Sequence, residues 1–231
     1  MSRSYIWTIA FAAIVAFACA APATAPAEEG GNPIILPEPT TTSPLKFTST
    51  TEAVVKLENA ATGLLECTSG TTSGEFTSKR LGVVTMTFKG CAWKSMKCET
   101  QGAELGTIVF TNADAHLVAF KLAETLRLGM VIKLASSLPV TCWLGAAFRG
   151  SVIALIDGPV GSEKVKTLTL LFHKTLFKQE LKECDLDKEY CLEGATHKKF
   201  LLEAFTGSEY IEMGLERRDK VTLEKEASFD F

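Results

Sequence analysis

The chain has 231 residues, a formal net charge of −3, 46% hydrophobic residues and 22% charged ones. That near-neutral balance excludes a dedicated nucleic-acid binder, which would carry a clustered basic excess. Removal of an exported leader would leave about 205 residues, one large domain or two small ones, long enough to bury a sizeable core.

In chain order, Met1–Tyr5 carries Arg3 and Ile6–Ala21 is an almost unbroken apolar run. This reads as a secretory signal. At about 16 residues the run falls short of the roughly 20 that span a bilayer. Small residues place cleavage after Ala20 or Ala27, so residues 1–20 are the expected signal peptide, with cleavage as late as 27. No later stretch suggests a transmembrane segment. The expected location is outside the cell or in the cell envelope. Residues 28–46 hold four prolines and no apolar period, a Pro/Thr-rich linker or arm. Residues 47–231 then form a single β-rich domain.

Within that domain, Glu52–Ala61 reads as a short helix or an edge strand, and from there on the apolar period is two. Val84, Met86 and Phe88 alternate with Val83, Thr85 and Thr87, and Leu128, Met130, Ile132 and Leu134 alternate with Gly129, Val131 and Lys133. The pattern recurs over 107–111, 116–122, 140–144, 151–156, 165–172, 200–205, 209–215 and 221–223. The strings TSGTTSG, DGPVGS and TGSE read as turns between strands. The expected fold is therefore all-β, an antiparallel sandwich or closed barrel stapled by disulfides. Closure would also remove exposed edges. Two pseudo-repeated halves are a further option, since each half presents a cysteine, a glycine, a strand and a cysteine pair in the same order.

Seven cysteines are present, and Cys19 lies in the leader. The remaining six read as three disulfides of an exported protein. The expected pairs are Cys91 with Cys98, Cys184 with Cys191, and Cys67 with Cys142. Six residues inside each short pair are too many for a zinc clip, and no C-x-x-C redox motif occurs.

The string from Leu64 to Thr111, with the Cys67 strand, Phe88-Lys-Gly-Cys91, and Cys98 followed by Gly102 and Gly106, resembles a recurrent group of exported bacterial β-rich proteins with no known activity. Gly150-Ser-Val-Ile153 extends the resemblance toward the C-terminus. It implies a secreted β domain and nothing catalytic. The chain departs from the group at Lys89, where threonine is usual, and in its Cys184 and Cys191 pair.

No nucleophile elbow, zinc-helix motif or phosphate loop appears. Asp114 beside His116 reads as a turn leading into a strand, not as a base and its orienter. Asp185, Asp187 and Glu189 read as a solvated acidic loop lacking the glycine of a calcium hand. No enzyme activity, metal or cofactor is expected. The leading reading is a non-enzymatic structural or binding module presenting disulfide-closed loops. The alternatives are a barrel that binds an apolar small molecule, suggested by runs such as Val152–Ile156 that are apolar on both faces, and, last, an extracellular hydrolase. The candidate binding residues lie on two loops of opposite character: Trp93, Lys94, Met96 and Lys97 on a basic one, Asp185, Asp187 and Glu189 on an acidic one. These would pair within or between molecules, giving a homo-oligomer, or the basic loop would meet an anionic envelope polymer.

Overall fold

A computed structural model of the chain describes residues 38–39, 44–78, 80–122, 125–142, 146–158, 161–179, 183–185 and 197–230. These residues are all-β, without a helix, so no helix among them is long and apolar enough to cross a membrane. The strands are β1 (Glu38–Pro39), β2 (Leu45–Thr51), β3 (Val55–Asn59), β4 (Gly63–Cys67), β5 (Ser69–Phe76), β6 (Leu81–Lys89), β7 (Ala92–Trp93), β8 (Met96–Lys97), β9 (Glu99–Thr100) and β10 (Thr107–Leu122). They continue as β11 (Thr125–Lys133), β12 (Leu138–Thr141), β13 (Ala146–Asp157), β14 (Gly161–Phe172), β15 (Lys174–Thr175), β16 (Lys178–Gln179), β17 (Glu183–Asp185), β18 (His197–Lys199), β19 (Leu202–Phe205) and β20 (Tyr210–Asp230).

The antiparallel ladders close on themselves. β2 pairs β5, β5 pairs β6, β6 pairs β10, β10 pairs β11, β11 pairs β13, β13 pairs β14, β14 pairs β20, and β20 returns to β2. This is an eight-stranded up-and-down ring in which each strand neighbours the next one along the chain, a closure that removes the edges an open sheet would expose. Its apolar side is the lumen. Burial alternates along β2 and β6, with Leu45, Phe47, Val84, Met86 and Phe88 inside. Outside stand Lys46, Thr48, Thr50 and Leu81.

Successive strands of such a ring run in opposite directions, so every second connection falls at the same end. The described parts of the four long connections, 52–68, 90–106, 134–150 and 173–216, all fall at one end. There they build a second ring in the order β3, β4, β7, β8 with β9, β12, the first half of β13, β19 and the first half of β20. The two rings share β13 and β20. The segments of each ring are thus interleaved along the chain and are not its consecutive halves.

Crossing between rings needs special residues. β13 crosses at Gly150, which has φ +98° and whose absent Cβ would lie 1.9 Å from the Leu201 carbonyl oxygen. β20 crosses at Arg217, buried with Asp219 inside the barrel. Arg217 Nε donates to Asp219 Oδ1 at 2.8 Å, and Nη2 donates to Asp219 Oδ2 and, at 2.8 Å, to Thr72 Oγ1. Ser49 and Thr51 donate to the same carboxylate at 2.8 and 2.9 Å. The guanidinium lies against the rings of Phe88 and Phe172, 4.9 and 5.1 Å from their centroids. An aromatic run, Phe88 to Phe110 to Phe148, with centroids 5.5 and 6.1 Å apart, continues the core from the first ring into the second.

Several expectations change in detail. The segment 52–61 holds a strand, β3, with no helix. Residues 68–74, expected as a turn, lie mostly in β5, because Gly70 and Gly74 face inward where a Cβ would meet Phe88 and Phe47 at 3.0 and 2.7 Å. The runs 107–111 and 116–122 are one strand with a bulge between Phe110 and Ala113, and 209–215 and 221–223 are one strand, β20. Val152–Ile156 is apolar on both faces for two different reasons. Val152, Ala154 and Ile156 fill the lumen, whereas Ile153 joins Val118, Val131 and Phe200 in a separate cluster.

The disulfide map is corrected. The bonds are Cys67–Cys91 and Cys98–Cys142, not Cys67–Cys142 and Cys91–Cys98. Each continues a ladder by one rung. Leu65 faces Trp93 and Glu66 faces Ala92, so Cys67 faces Cys91; Val140 faces Thr100 and Thr141 faces Glu99, so Cys142 faces Cys98. Of the expected pair Cys184 and Cys191, Cys191 lies outside the described residues.

Candidate functional site

The stretch Gly90–Cys98 forms the β7–β8 hairpin, whose two-residue loop places Lys94 at φ 46° and Ser95 at φ 70°. Two successive positive φ values give the type I′ geometry that matches strand twist, usually at Asn-Gly. Here two residues with full side chains occupy it. At the hairpin's base the Cys98 amide donates to the Cys91 carbonyl at 3.0 Å and the Cys91 amide donates to the Gly106 carbonyl at 2.8 Å. Cys67, Cys91, Cys98 and Cys142 therefore stand in one row across four neighbouring segments, with Cys67, Cys91 and Cys98 fully buried. The hairpin is clamped at both feet, one to β4 and one to the end of β12, and the second ring is covalently closed there.

Trp93 is held by its own donor. Its Nε1 gives a 2.6 Å hydrogen bond to the Thr62 carbonyl, and the Lys94 ammonium lies 4.8 Å above the ring. The receiving turn is shaped by Asn59, whose Oδ1 accepts from the Ala61 and Thr62 amides at 2.9 and 2.8 Å while its Nδ2 donates to Thr62 Oγ1 at 2.8 Å. Gly63, at φ +80°, leads into β4.

Trp93 forms one wall of a bowl at the mouth of the second ring. Leu57, Leu65, Phe148, Ala204 and Met213 line it, with Thr62, Gly63, Cys142, Ala146, Phe205 and Thr206 completing the wall. The cavity proper is about 40 Å³, and the open bowl reaches about 500 Å³. At the far end of the first ring, Phe47, Phe76, Leu117, Met130 and Phe229 enclose only about 20 Å³, so the main lumen is filled by side chains. Outside the second ring the Arg149 guanidinium lies 3.6 Å from the Tyr210 ring centroid and donates to Glu203 at 2.8 Å; that hydrogen bond raises its already high pKa.

Of the expected site residues, the structure brings Trp93, Lys94, Met96 and Lys97 together on one hairpin. Trp93 and Met96 are half-buried, Lys94 and Lys97 exposed. Asp185 ends β17, and Asp187 and Glu189 lie outside the described residues, so the pairing of acidic and basic loops is not placed. Among the described residues no cluster of three histidine, cysteine or acidic side chains could hold a metal ion. Sequence reading missed the bowl, because its wall comes from segments as far apart as Leu57 and Met213. Alternation marks these residues as inward-facing without telling which ring they face. No family model matches this chain, and no curated protein or solved structure matches it significantly.

Proposed function

We propose that this chain is an exported, non-enzymatic binding module that works at the cell envelope or outside it, and that the mouth of the second ring, with the Trp93 hairpin, is the surface it presents. One observation carries the reading. The row of four cysteines fixes both feet of the hairpin, and so fixes Trp93, around an apolar bowl open to solvent. Closing segments of 24 and 44 residues removes about 3.5 and about 4 kcal/mol of unfolded-state entropy, in the chain-entropy account. Such bonds persist in oxidising compartments, which favours export together with the apolar leader. A rigid wall binds without paying to order itself, and a binding surface needs that property more than a filled barrel does.

The test has two parts. Expressed with its leader, the chain should appear outside the cytoplasm with residues 1–20 or 1–27 removed. Solvent-extracted envelope fractions added to that exported protein should shift backbone resonances of Thr62, Gly63, Trp93 and Phe205 in preference to those of the first ring. Retention in the cytoplasm, shifts concentrated on the first ring, or chemical conversion of the added components would each count against the proposal.

A further inference from the structure

We infer that the mouth of the second ring takes a small, uncharged apolar molecule, which inserts one end into the cavity beneath Trp93. The inference rests on the proposal that the mouth is the binding surface and goes further by naming the ligand's chemistry. The side-chain polar atoms that the threonines and tryptophan bring to the wall are hydrogen-bonded already. Thr62 uses its amide and hydroxyl on Asn59 and its carbonyl on Trp93. Thr206 directs both its amide and its hydroxyl to the Glu209 carbonyl, at 2.9 and 3.2 Å. A charged or strongly polar ligand would be stripped of water there without compensation, a heavy cost. An apolar one loses nothing.

Size and rigidity narrow the class further. The enclosed part, about 40 Å³, admits a methyl-bearing end or the edge of a ring, and the rest of the ligand would lie in the open bowl against Trp93 and Phe205. Floor and wall are fixed before any ligand arrives. Phe148 stacks on Phe110, Phe205 packs on Tyr210 with centroids 5.3 Å apart, and Trp93 is held at its nitrogen. Pre-formed apolar pockets with few polar groups are the usual small-molecule sites. None of the residues lining the bowl is charged, and the nearby Lys94 ammonium lies over the Trp93 ring.

Saturation-transfer and shift-mapping NMR on the exported chain would use three probes of one shape: toluene, benzoate and benzylammonium. Toluene should shift the mouth resonances, and the two ions should bind about tenfold more weakly or worse. Ala204→Leu fills the cavity and should abolish toluene binding. Ala146→Leu at the half-buried rim should weaken it and keeps the test open if the first variant does not fold. Benzoate or benzylammonium bound as well as toluene would overturn the uncharged class while leaving the mouth as the binding surface. Mouth resonances unmoved by all three probes would overturn both readings, as would a dimer in sedimentation whose contact covers the mouth. Toluene binding indifferent to both leucine variants would place the ligand elsewhere and overturn the inference.

Discussion

At the level of single residues, each crossing point depends on a particular residue, Gly150 in β13 and Arg217 in β20. Gly150 has both a positive φ and a carbonyl where its Cβ would go. Gly150→Ala should therefore cost about 3 kcal/mol or more, a fall in Tm of roughly 6–12 °C for a chain of this length, measured by thermal unfolding. A fall under about 2 °C would mean that β13 does not turn there. The Arg217–Asp219 pair is a buried charge pair, and removing one member leaves the other uncompensated. Asp219→Leu alone should cost about 3–5 kcal/mol, whereas Arg217→Met with Asp219→Leu together should cost much less than the single change. Urea unfolding of wild type, Arg217→Met, Asp219→Leu and the double variant decides this, and simple additivity of the two single changes would contradict the pairing.

At the level of elements, the hairpin and its clamps decide the site. Lys94 and Ser95 occupy left-handed conformations that asparagine and glycine adopt at lower cost. The pair of changes Lys94→Asn and Ser95→Gly should raise stability by about 1 kcal/mol without moving Trp93. A loss of stability would show that Lys94, over the Trp93 ring, contributes more than the strain costs. A second hairpin, β15–β16, is tied to the second ring by Lys174, whose Nζ lies 2.6 Å from Glu58 and 3.7 Å from Glu216. The hydrogen bond to Glu58 raises the Lys174 pKa above the ordinary 10.5, against the opposing effect of burial. Because the folded value is the higher one, the stabilisation is fully present below pH 10.5 and is lost as pH rises through the folded value. The Tm gap between wild type and Glu58→Gln should hold constant from neutral pH to about 10 and shrink only beyond that. A gap that closes at lower pH would assign it to something other than this lysine.

At the level of the whole molecule, alternation in the sequence is enough to read an all-β fold. It is not enough to read two rings, because β10 and β20 each run through apparent breaks, and β13 and β20 belong to both rings. Glycine misled at 68–74. There Gly70 and Gly74 make space for Phe88 and Phe47 inside a strand, a tertiary reason invisible in the local string. The cysteine spacing marks Gly90–Cys98 as a short loop between two cysteines, but not the partners of those cysteines. Cys91 and Cys98 are nearest in sequence, yet each faces a strand brought in from elsewhere, Cys67 on β4 and Cys142 beyond β12. The covalent row holds both feet of the hairpin, and trypsin can read it without reduction, since Lys94 and Lys97 lie between Cys91 and Cys98. Two linked pairs are expected, Leu57–Lys79 joined to Gly90–Lys94 and Cys98–Lys121 joined to Leu134–Arg149. A link between the Cys67 and Cys142 peptides, or between Gly90–Lys94 and Cys98–Lys121, would contradict this pairing.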